Sequence, residues 1–138
     1  MNSTTIQFRV RYAETDQMGF VYHGNYAQYL EMGRIEWLRE LGISYKKMEA
    51  TGIMLPVISL NINYLKPAKY DDLLSLKTTL TKKPMARIEF SYELYNNYKE
   101  LLTEASTTLV FVNMKTNKPM KAPEYLLKKL TQISEKPL

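Results

Sequence analysis

The fold follows from residues 25–41, which read NYAQYLEMGRIEWLREL. Large apolar and aromatic residues recur in this stretch at the three- and four-residue spacing that places them on one face of an α-helix. They are Tyr26, Tyr29, Leu30, Trp37 and Leu41, with Gly33 on the same face. Asn25 suits the N-cap and Gly42 the C-terminal stop of such a helix. The sequence therefore predicts one long helix over residues 25–41.

Gly33 lies inside this helix, where glycine costs roughly 1 kcal/mol of stability relative to alanine. A glycine on the apolar face lets the backbone of another element approach closely, because it carries no Cβ. We therefore expect a strand to pack against the helix at Gly33.

Strand patterns lie on both sides of the helix. Residues 5–12 alternate, with Ile6, Phe8, Val10 and Tyr12 on one face. Further strands are predicted at residues 58–64, 74–80, 88–94 and 101–113, and shorter helices at residues 44–50 and 123–133. The later strands have short connections, which favour antiparallel pairing.

These elements predict an α+β fold in one domain over residues 1–138, with a long central helix wrapped by a five-stranded antiparallel sheet. A sheet with one covering helix leaves its edges and part of one face open. We therefore expect a homodimer or homotetramer that covers them.

Composition excludes several kinds of site. The chain has no Cys and one His, so thiolate nucleophiles and His- or Cys-rich metal sites are excluded, and we expect no metal or cofactor. Neither a signal peptide nor an apolar run of membrane-spanning length is present, which favours a cytoplasmic protein. The net charge of +5 is compatible with two alternatives, simple solubility or attraction to a polyanionic ligand.

The stretch between the first strand and the helix holds the strongest candidate for chemistry. Residues 12–26 read YAETDQMGFVYHGNY and place Asp16 in a loop just before the helix start. The first turn of a helix has unpaired N–H groups and the positive end of a dipole. Such N–H groups stabilise negative charge as it develops on a carbonyl oxygen.

This motif resembles the signature of the 4-hydroxybenzoyl-CoA thioesterase family, and more closely its branch of short acyl-CoA thioesterases associated with the bacterial Tol–Pal system. Weaker support comes from Tyr-Leu-Lys-Pro at residues 64–67 and from Asp-Asp at residues 71–72. The resemblance implies a hot-dog fold and hydrolysis of an acyl-CoA thioester, with Asp16 as nucleophile or general base. It further implies that Tyr12 and His23 belong to the active site and that an N–H near His23 polarises the thioester carbonyl.

The resemblance also implies contacts with the rest of the substrate. Gly24 and Asn25 are expected to contact it at the helix start. Basic residues in turns are expected to meet the phosphates of CoA. These are Lys66, Lys82, Lys83 and Arg87.

Each site residue has a structural alternative. Asp16 suits a loop turn, His23 a cap at the helix start, and Tyr12 the core face of the first strand. Asn25 suits the N-cap, and Glu31 on the helix is a second carboxylate candidate.

Substrate and activity also leave alternatives. Gln17, Met18 and Phe20 depart from the hydroxybenzoyl branch, which favours a short or medium aliphatic acyl group. The alternative to an enzyme is a non-catalytic module that binds acyl groups or nucleic acid.

Overall fold

The computed structural model describes residues 2–135, which form an α+β fold with one long helix on an antiparallel sheet. The strands are β1 (Ser3–Arg9), β2 (Ile53–Met54), β3 (Val57–Tyr64), β4 (Leu73–Leu80), β5 (Arg87–Tyr95), β6 (Leu101–Val110), β7 (Val112–Asn113) and β8 (Lys118–Pro119). The helices are α1 (Tyr26–Glu40), α2 (Tyr45–Ala50) and α3 (Glu124–Glu135). Within residues 2–135, no helix is both long and apolar enough to cross a membrane.

The main sheet has five strands in the order β1-β4-β5-β6-β3, and every neighbouring pair is antiparallel. This confirms the predicted sheet and the short connections that favoured it. A second, three-stranded sheet of β2, β7 and β8 was not predicted, because two-residue strands carry no alternation that a sequence pattern can reveal.

Alternation along the strands separates a buried face of the main sheet from a more exposed one. In β5, for example, Ile88, Phe90, Tyr92 and Leu94 are buried, whereas the residues between them are partly exposed. Helix α1 packs on the buried face, with the Trp37 and Phe90 rings 5.0 Å apart in an edge-to-face contact. The core therefore lies between α1 and this face, as predicted.

At Gly33, α1 lies directly against β4. A Cβ atom at this position would overlap the Thr78 Oγ1 atom and come within 2.9 Å of the Leu76 Cδ2 atom. The expectation that a strand packs against the helix at Gly33 is therefore confirmed.

The predicted long helix is confirmed, but its N-terminal boundary differs. A 3-10 turn, His23–Asn25, precedes α1, and the Asn25 side chain makes no capping hydrogen bond to the helix. Asn25 thus holds the predicted N-cap position of α1, but its side chain bonds the Glu14 carbonyl and caps no helix N–H. At the other end, Gly42 follows the helix with φ +89°, as the predicted stop requires.

The first strand ends earlier than its alternation predicts. It ends at Arg9, and Tyr12 begins a 3-10 turn, Tyr12–Glu14, with its side chain 77% exposed. After Arg9, the chain bonds the loop before β4 instead of β4 itself. The Val10 N–H donates to the Asp72 carbonyl, and the Val10 carbonyl accepts from the Asp71 N–H. The core interpretation of Tyr12 is therefore wrong.

The antiparallel pairing gives the main sheet two distinct ends. At one, which we call the loop end, β1 leads into residues 10–24 and β3 leads into residues 65–72. At the other, the far end, β4 and β5 are joined by residues 81–86. Helix α1 starts at the loop end, since its 3-10 turn follows residues 10–22 directly.

Gly33→Ala should destabilise the protein by about 1–3 kcal/mol, because the added methyl group overlaps β4 and outweighs the helix propensity gained. The free energy of unfolding in denaturant measures the effect. Gln28→Ala, on the exposed face of the same helix, is the control and should change it by no more than about 0.5 kcal/mol. A Gly33→Ala protein as stable as the wild type would contradict the close approach.

Candidate active site

Residues 10–24 contain a small hairpin that presents Asp16. Thr15 and Val21 form an antiparallel bridge, and the Asp16 N–H donates to the Phe20 carbonyl at 2.8 Å. The chain reverses at Gly19, whose φ of +79° is readily adopted only by glycine. The tip of the hairpin is therefore a defined turn with Asp16 at its first corner.

The hairpin is fixed to the segment that follows β3. The Val21 N–H donates to the Ala68 carbonyl at 2.8 Å, and Phe20 bridges Lys69. The Tyr70 N–H donates to the Gly19 carbonyl at 3.3 Å. Backbone contacts of the turn and the second arm therefore hold the loop on the end of the sheet.

The Asp16 carboxylate uses one oxygen for structure and leaves the other accessible. Its Oδ1 atom accepts the N–H groups of Met18 at 2.9 Å and Phe20 at 3.2 Å. Asp16 is exposed, and among residues 2–135 its Oδ2 atom has no hydrogen-bond partner. The turn role expected as the alternative is thus present, and it also orients a carboxylate oxygen toward solvent.

The helix start also has two backbone N–H groups without a hydrogen-bond partner among the described residues. The Asn25 N–H donates to the Tyr22 carbonyl, whereas within residues 2–135 the N–H groups of His23 and Gly24 have no hydrogen-bond acceptor. They lie at the positive end of α1. Groups of this kind can receive a carbonyl oxygen that gains negative charge.

The His23 side chain is exposed and does not cap the helix. Its ring packs on the Tyr22 ring with the centroids 4.4 Å apart. The carbonyl of His23 accepts a hydrogen bond of 3.3 Å from the Tyr64 hydroxyl at the end of β3. Since this carbonyl and the Gly24 N–H belong to one peptide unit, Tyr64 helps to orient the Gly24 donor.

Tyr12 lies beside the hairpin, on its outer side. Its ring contacts the ring of Tyr70 edge-to-face with centroids 5.5 Å apart, and its carbonyl accepts from the Thr15 hydroxyl at 2.7 Å. Both tyrosines are largely exposed. Tyr12, Asp16 and His23 all lie in the segment between β1 and α1 at the loop end.

Gly24 and Asn25 occupy the helix start, but the Asn25 amide is already engaged. Its Nδ2 atom donates to the Glu14 carbonyl at 2.8 Å, which ties the helix start to the loop before Asp16. A Cβ at Gly24 would come within 2.7 Å of the Tyr22 ring. Among the residues described, Asn25 thus acts on the architecture of the loop.

Two residues of this region were missed by sequence reasoning. Glu14 is buried, with 9% exposure, and Tyr64 orients the Gly24 peptide. A glutamate in an otherwise exposed loop has no periodic signal, because only contacts distant in sequence bury it. Tyr64 lies in the weaker motif 64–67, which was the one available pointer to it.

The four predicted basic contacts divide between the two ends of the sheet. Lys66 lies at the loop end, where its Nζ atom bonds the Glu100 carboxylate at 2.7 Å and holds the pKa of that carboxyl below its usual value. Lys82, Lys83 and Arg87 lie at the far end, with Lys82 paired to Glu89. The eight residues of β4 place the two ends about 26 Å apart, so within one chain these three lie far from Asp16.

Glu31, the second carboxylate candidate, belongs to a different part of the molecule. It is exposed on α1 and lines a cavity of about 250 Å³ between α1 and the β3 side of the sheet. Ile35, Leu38, Val57 and Leu109 are among the apolar residues of the wall. Along the helix axis Glu31 is about 10 Å from Gly24, at 1.5 Å per residue. The two carboxylate candidates are therefore structurally distinct.

Comparisons of sequence and structure both match this chain to thioesterases. The model of the thioesterase-like superfamily matches residues 10–130. The chain is 31% identical to the acyl-CoA thioester hydrolase YbgC of Escherichia coli over 96% of this chain and 100% of that protein. It is 32% identical to the acyl-CoA thioesterase YbgC of Haemophilus influenzae over 89% of this chain and 90% of that protein. The crystal structure of a DHNA-CoA thioesterase from Staphylococcus aureus matches with a TM-score of 0.91 and 36% identity, over 97% of this chain and 92% of that one.

Asn25→Ala should lower the free energy of unfolding by about 1–2 kcal/mol, because the partly buried Glu14 carbonyl loses one of its two donors. Thermal or denaturant unfolding measures the change. Gln17→Ala, at an exposed loop position, is the control and should be nearly neutral. Equal stability of the two variants would show that the amide does not tie the helix to the loop.

Proposed function

Because this chain belongs to the thioesterase-like superfamily and to the acyl-CoA thioesterases within it, we propose that it hydrolyses a short or medium acyl-CoA with Asp16 as its catalytic carboxylate. The observation that carries the proposal is the arrangement at the loop end. Within residues 2–135, one Asp16 carboxylate oxygen has no hydrogen-bond partner, and the N–H groups of His23 and Gly24 at the start of α1 have none either.

The proposed reaction begins with the thioester carbonyl at the N–H groups of His23 and Gly24. As a general base, Asp16 takes a proton from water while the water oxygen attacks the carbonyl carbon. The carbonyl π electrons move to the oxygen and are stabilised by the two N–H groups. The C–S bond then breaks, the acid is released, and the CoA thiolate takes up a proton.

The same atoms support a second route. As a nucleophile, the free Asp16 oxygen attacks the carbonyl carbon, expels the CoA thiolate and forms a mixed anhydride, which water then hydrolyses. The turn N–H groups that hold Oδ1 orient the carboxylate in either route. Tyr12 and His23 are assigned to the walls of this site.

Two substrate classes are supported by different observations. Gln17, Met18 and Phe20 depart from the pattern of the hydroxybenzoyl branch and therefore support a short or medium aliphatic acyl group. The 36% identity to a protein described as a DHNA-CoA thioesterase supports an aromatic acyl-CoA as the second candidate. A panel of acyl-CoAs of graded length together with 1,4-dihydroxy-2-naphthoyl-CoA distinguishes them by kcat/KM.

We also propose that the protein is a homo-oligomer in which β3 is covered. This strand is the edge of the main sheet, and its apolar residues Val57, Ile58 and Leu60 are 44–49% exposed. An edge strand with apolar side chains and unpaired backbone groups favours pairing with another chain. A dimer and a tetramer both satisfy this requirement.

Asp16→Asn should reduce thioester hydrolysis by at least about 10²-fold, because an amide can neither accept the proton of water nor attack the carbonyl. Since the protein has no Cys, a thiol reagent detects only the CoA released. Glu40→Gln, an exposed carboxylate at the other end of α1, is the matched control and should retain full activity. Hydrolysis that persists in Asp16→Asn and disappears in Glu31→Gln would move the site to the α1 cavity.

Leu60→Lys should shift the protein toward the monomer, because it places a charge on the exposed edge strand. Light scattering coupled to size-exclusion chromatography gives the mass directly. Thr5→Lys, on the opposite edge strand β1, is the control and should keep the wild-type mass. A wild-type protein that is monomeric at micromolar concentration would rule out the oligomer.

A further inference from the structure

Glu14 is a buried glutamate two residues before Asp16, and both its backbone and its side chain bond other parts of the loop end. Its carbonyl accepts the Tyr22 N–H at 2.8 Å and the Asn25 amide at 2.8 Å. Tyr22 and Asn25 flank His23 and Gly24, whose N–H groups are open. The backbone of one residue thus joins the arm that carries Asp16 to the segment that carries the proposed oxyanion donors.

The Glu14 side chain bonds the chain on the N-terminal side of Asp16, at Arg11. Its Oε1 atom accepts the Arg11 N–H at 2.8 Å, which closes the 3-10 turn, Tyr12–Glu14. Its Oε2 atom lies 3.4 Å from the Arg11 guanidinium, which is largely exposed and therefore contributes little to stability. The backbone hydrogen bond is the firmer of the two contacts.

The Glu14 carboxylate lies near α1 but makes no hydrogen bond to it. Burial, followed by the nearby charge of Glu14, raises the pKa of the Tyr29 hydroxyl, which has no hydrogen-bond partner within residues 2–135. The backbone carbonyl of Glu14 therefore makes the link to the helix start, and its side chain closes the turn that precedes Asp16.

We propose that Glu14 is a positioning residue that sets the distance between the Asp16 carboxylate and the N–H groups of His23 and Gly24. This inference rests on the proposed function, since it assigns Glu14 a role in the reaction of that site. A displacement of about 1 Å between reacting groups costs up to about 10²-fold in rate. Glu14 itself touches neither proposed reacting group, so its effect passes through the loop.

The test is Glu14→Ala, which removes the oxygen that accepts the Arg11 N–H, together with Glu14→Gln, the conservative variant that keeps an acceptor oxygen there. We expect kcat of Glu14→Ala to fall about 10- to 100-fold with KM within about twofold of the wild type, and Glu14→Gln to recover most of that kcat, because the geometry of the turn depends on the acceptor. Leu126→Val is the matched control: it alters a buried residue of α3 and lowers the melting temperature without reaching the loop. At comparable melting temperature, this control should retain the wild-type kcat.

Three results would overturn the inference. They are a wild-type kcat in Glu14→Ala, an equal loss of kcat in Leu126→Val at the same melting temperature, and a fall confined to KM. If Glu14→Ala does not fold, Asn25→Ala takes its place, because it removes the donor that joins the helix start to the Glu14 carbonyl. A lower kcat with KM within about twofold of the wild type is then expected, and an unchanged kcat overturns the inference.

Asp16→Asn measured in the same assay separates this inference from the function on which it depends. Activity that survives in Asp16→Asn contradicts the proposed site as a whole. Activity lost in Asp16→Asn and retained in Glu14→Ala contradicts the role of Glu14 alone.

Discussion

The close contact between α1 and β4 at Gly33 is the constraint on which the rest of the structure depends. No side chain separates helix and strand there, because Thr78 and Leu76 occupy the space that a Cβ would need. Once the helix axis is fixed at this point, Trp37 packs on Phe90, and the helix start is set at the loop end of the sheet. The position of the open N–H groups of His23 and Gly24 is therefore a consequence of core packing.

The loop that carries Asp16 is held to this framework by backbone hydrogen bonds, with few contributions from charged pairs. Val10, Gly19 and Val21 all bond carbonyls or N–H groups of residues 68–72. Such contacts keep their geometry independent of salt and of side-chain rotamers, which suits a site that must align a carboxylate with two amides. The ion pairs of the loop end, such as Lys66 with Glu100, are exposed and add little to its rigidity.

The predicted phosphate-binding residues are divided between the two ends of the sheet. Lys66 accompanies the proposed site, whereas Lys82, Lys83 and Arg87 lie at the far end of the same chain. In a single chain, CoA phosphates near Asp16 would meet Lys66 but none of the other three residues. If the β3 strands of two copies pair antiparallel, the Val57 end of one strand lies beside the Tyr64 end of the other. The far-end residues of one copy then approach the loop end of its neighbour.

Sequence by itself determined the order and type of the main elements, since helical and strand periodicities are local properties of residues that contact one core. It also determined the family motif around Asp16 and the close approach at Gly33. Tertiary structure decided what depends on distant partners. Tyr12 leaves the strand where Val10 bonds residues 71–72, and the side chain of the N-cap residue Asn25 bonds the Glu14 carbonyl instead of a helix N–H. The burial of Glu14 and the separation of Lys66 from Arg87 were decided there too, because neither follows from the spacing of residues along the chain.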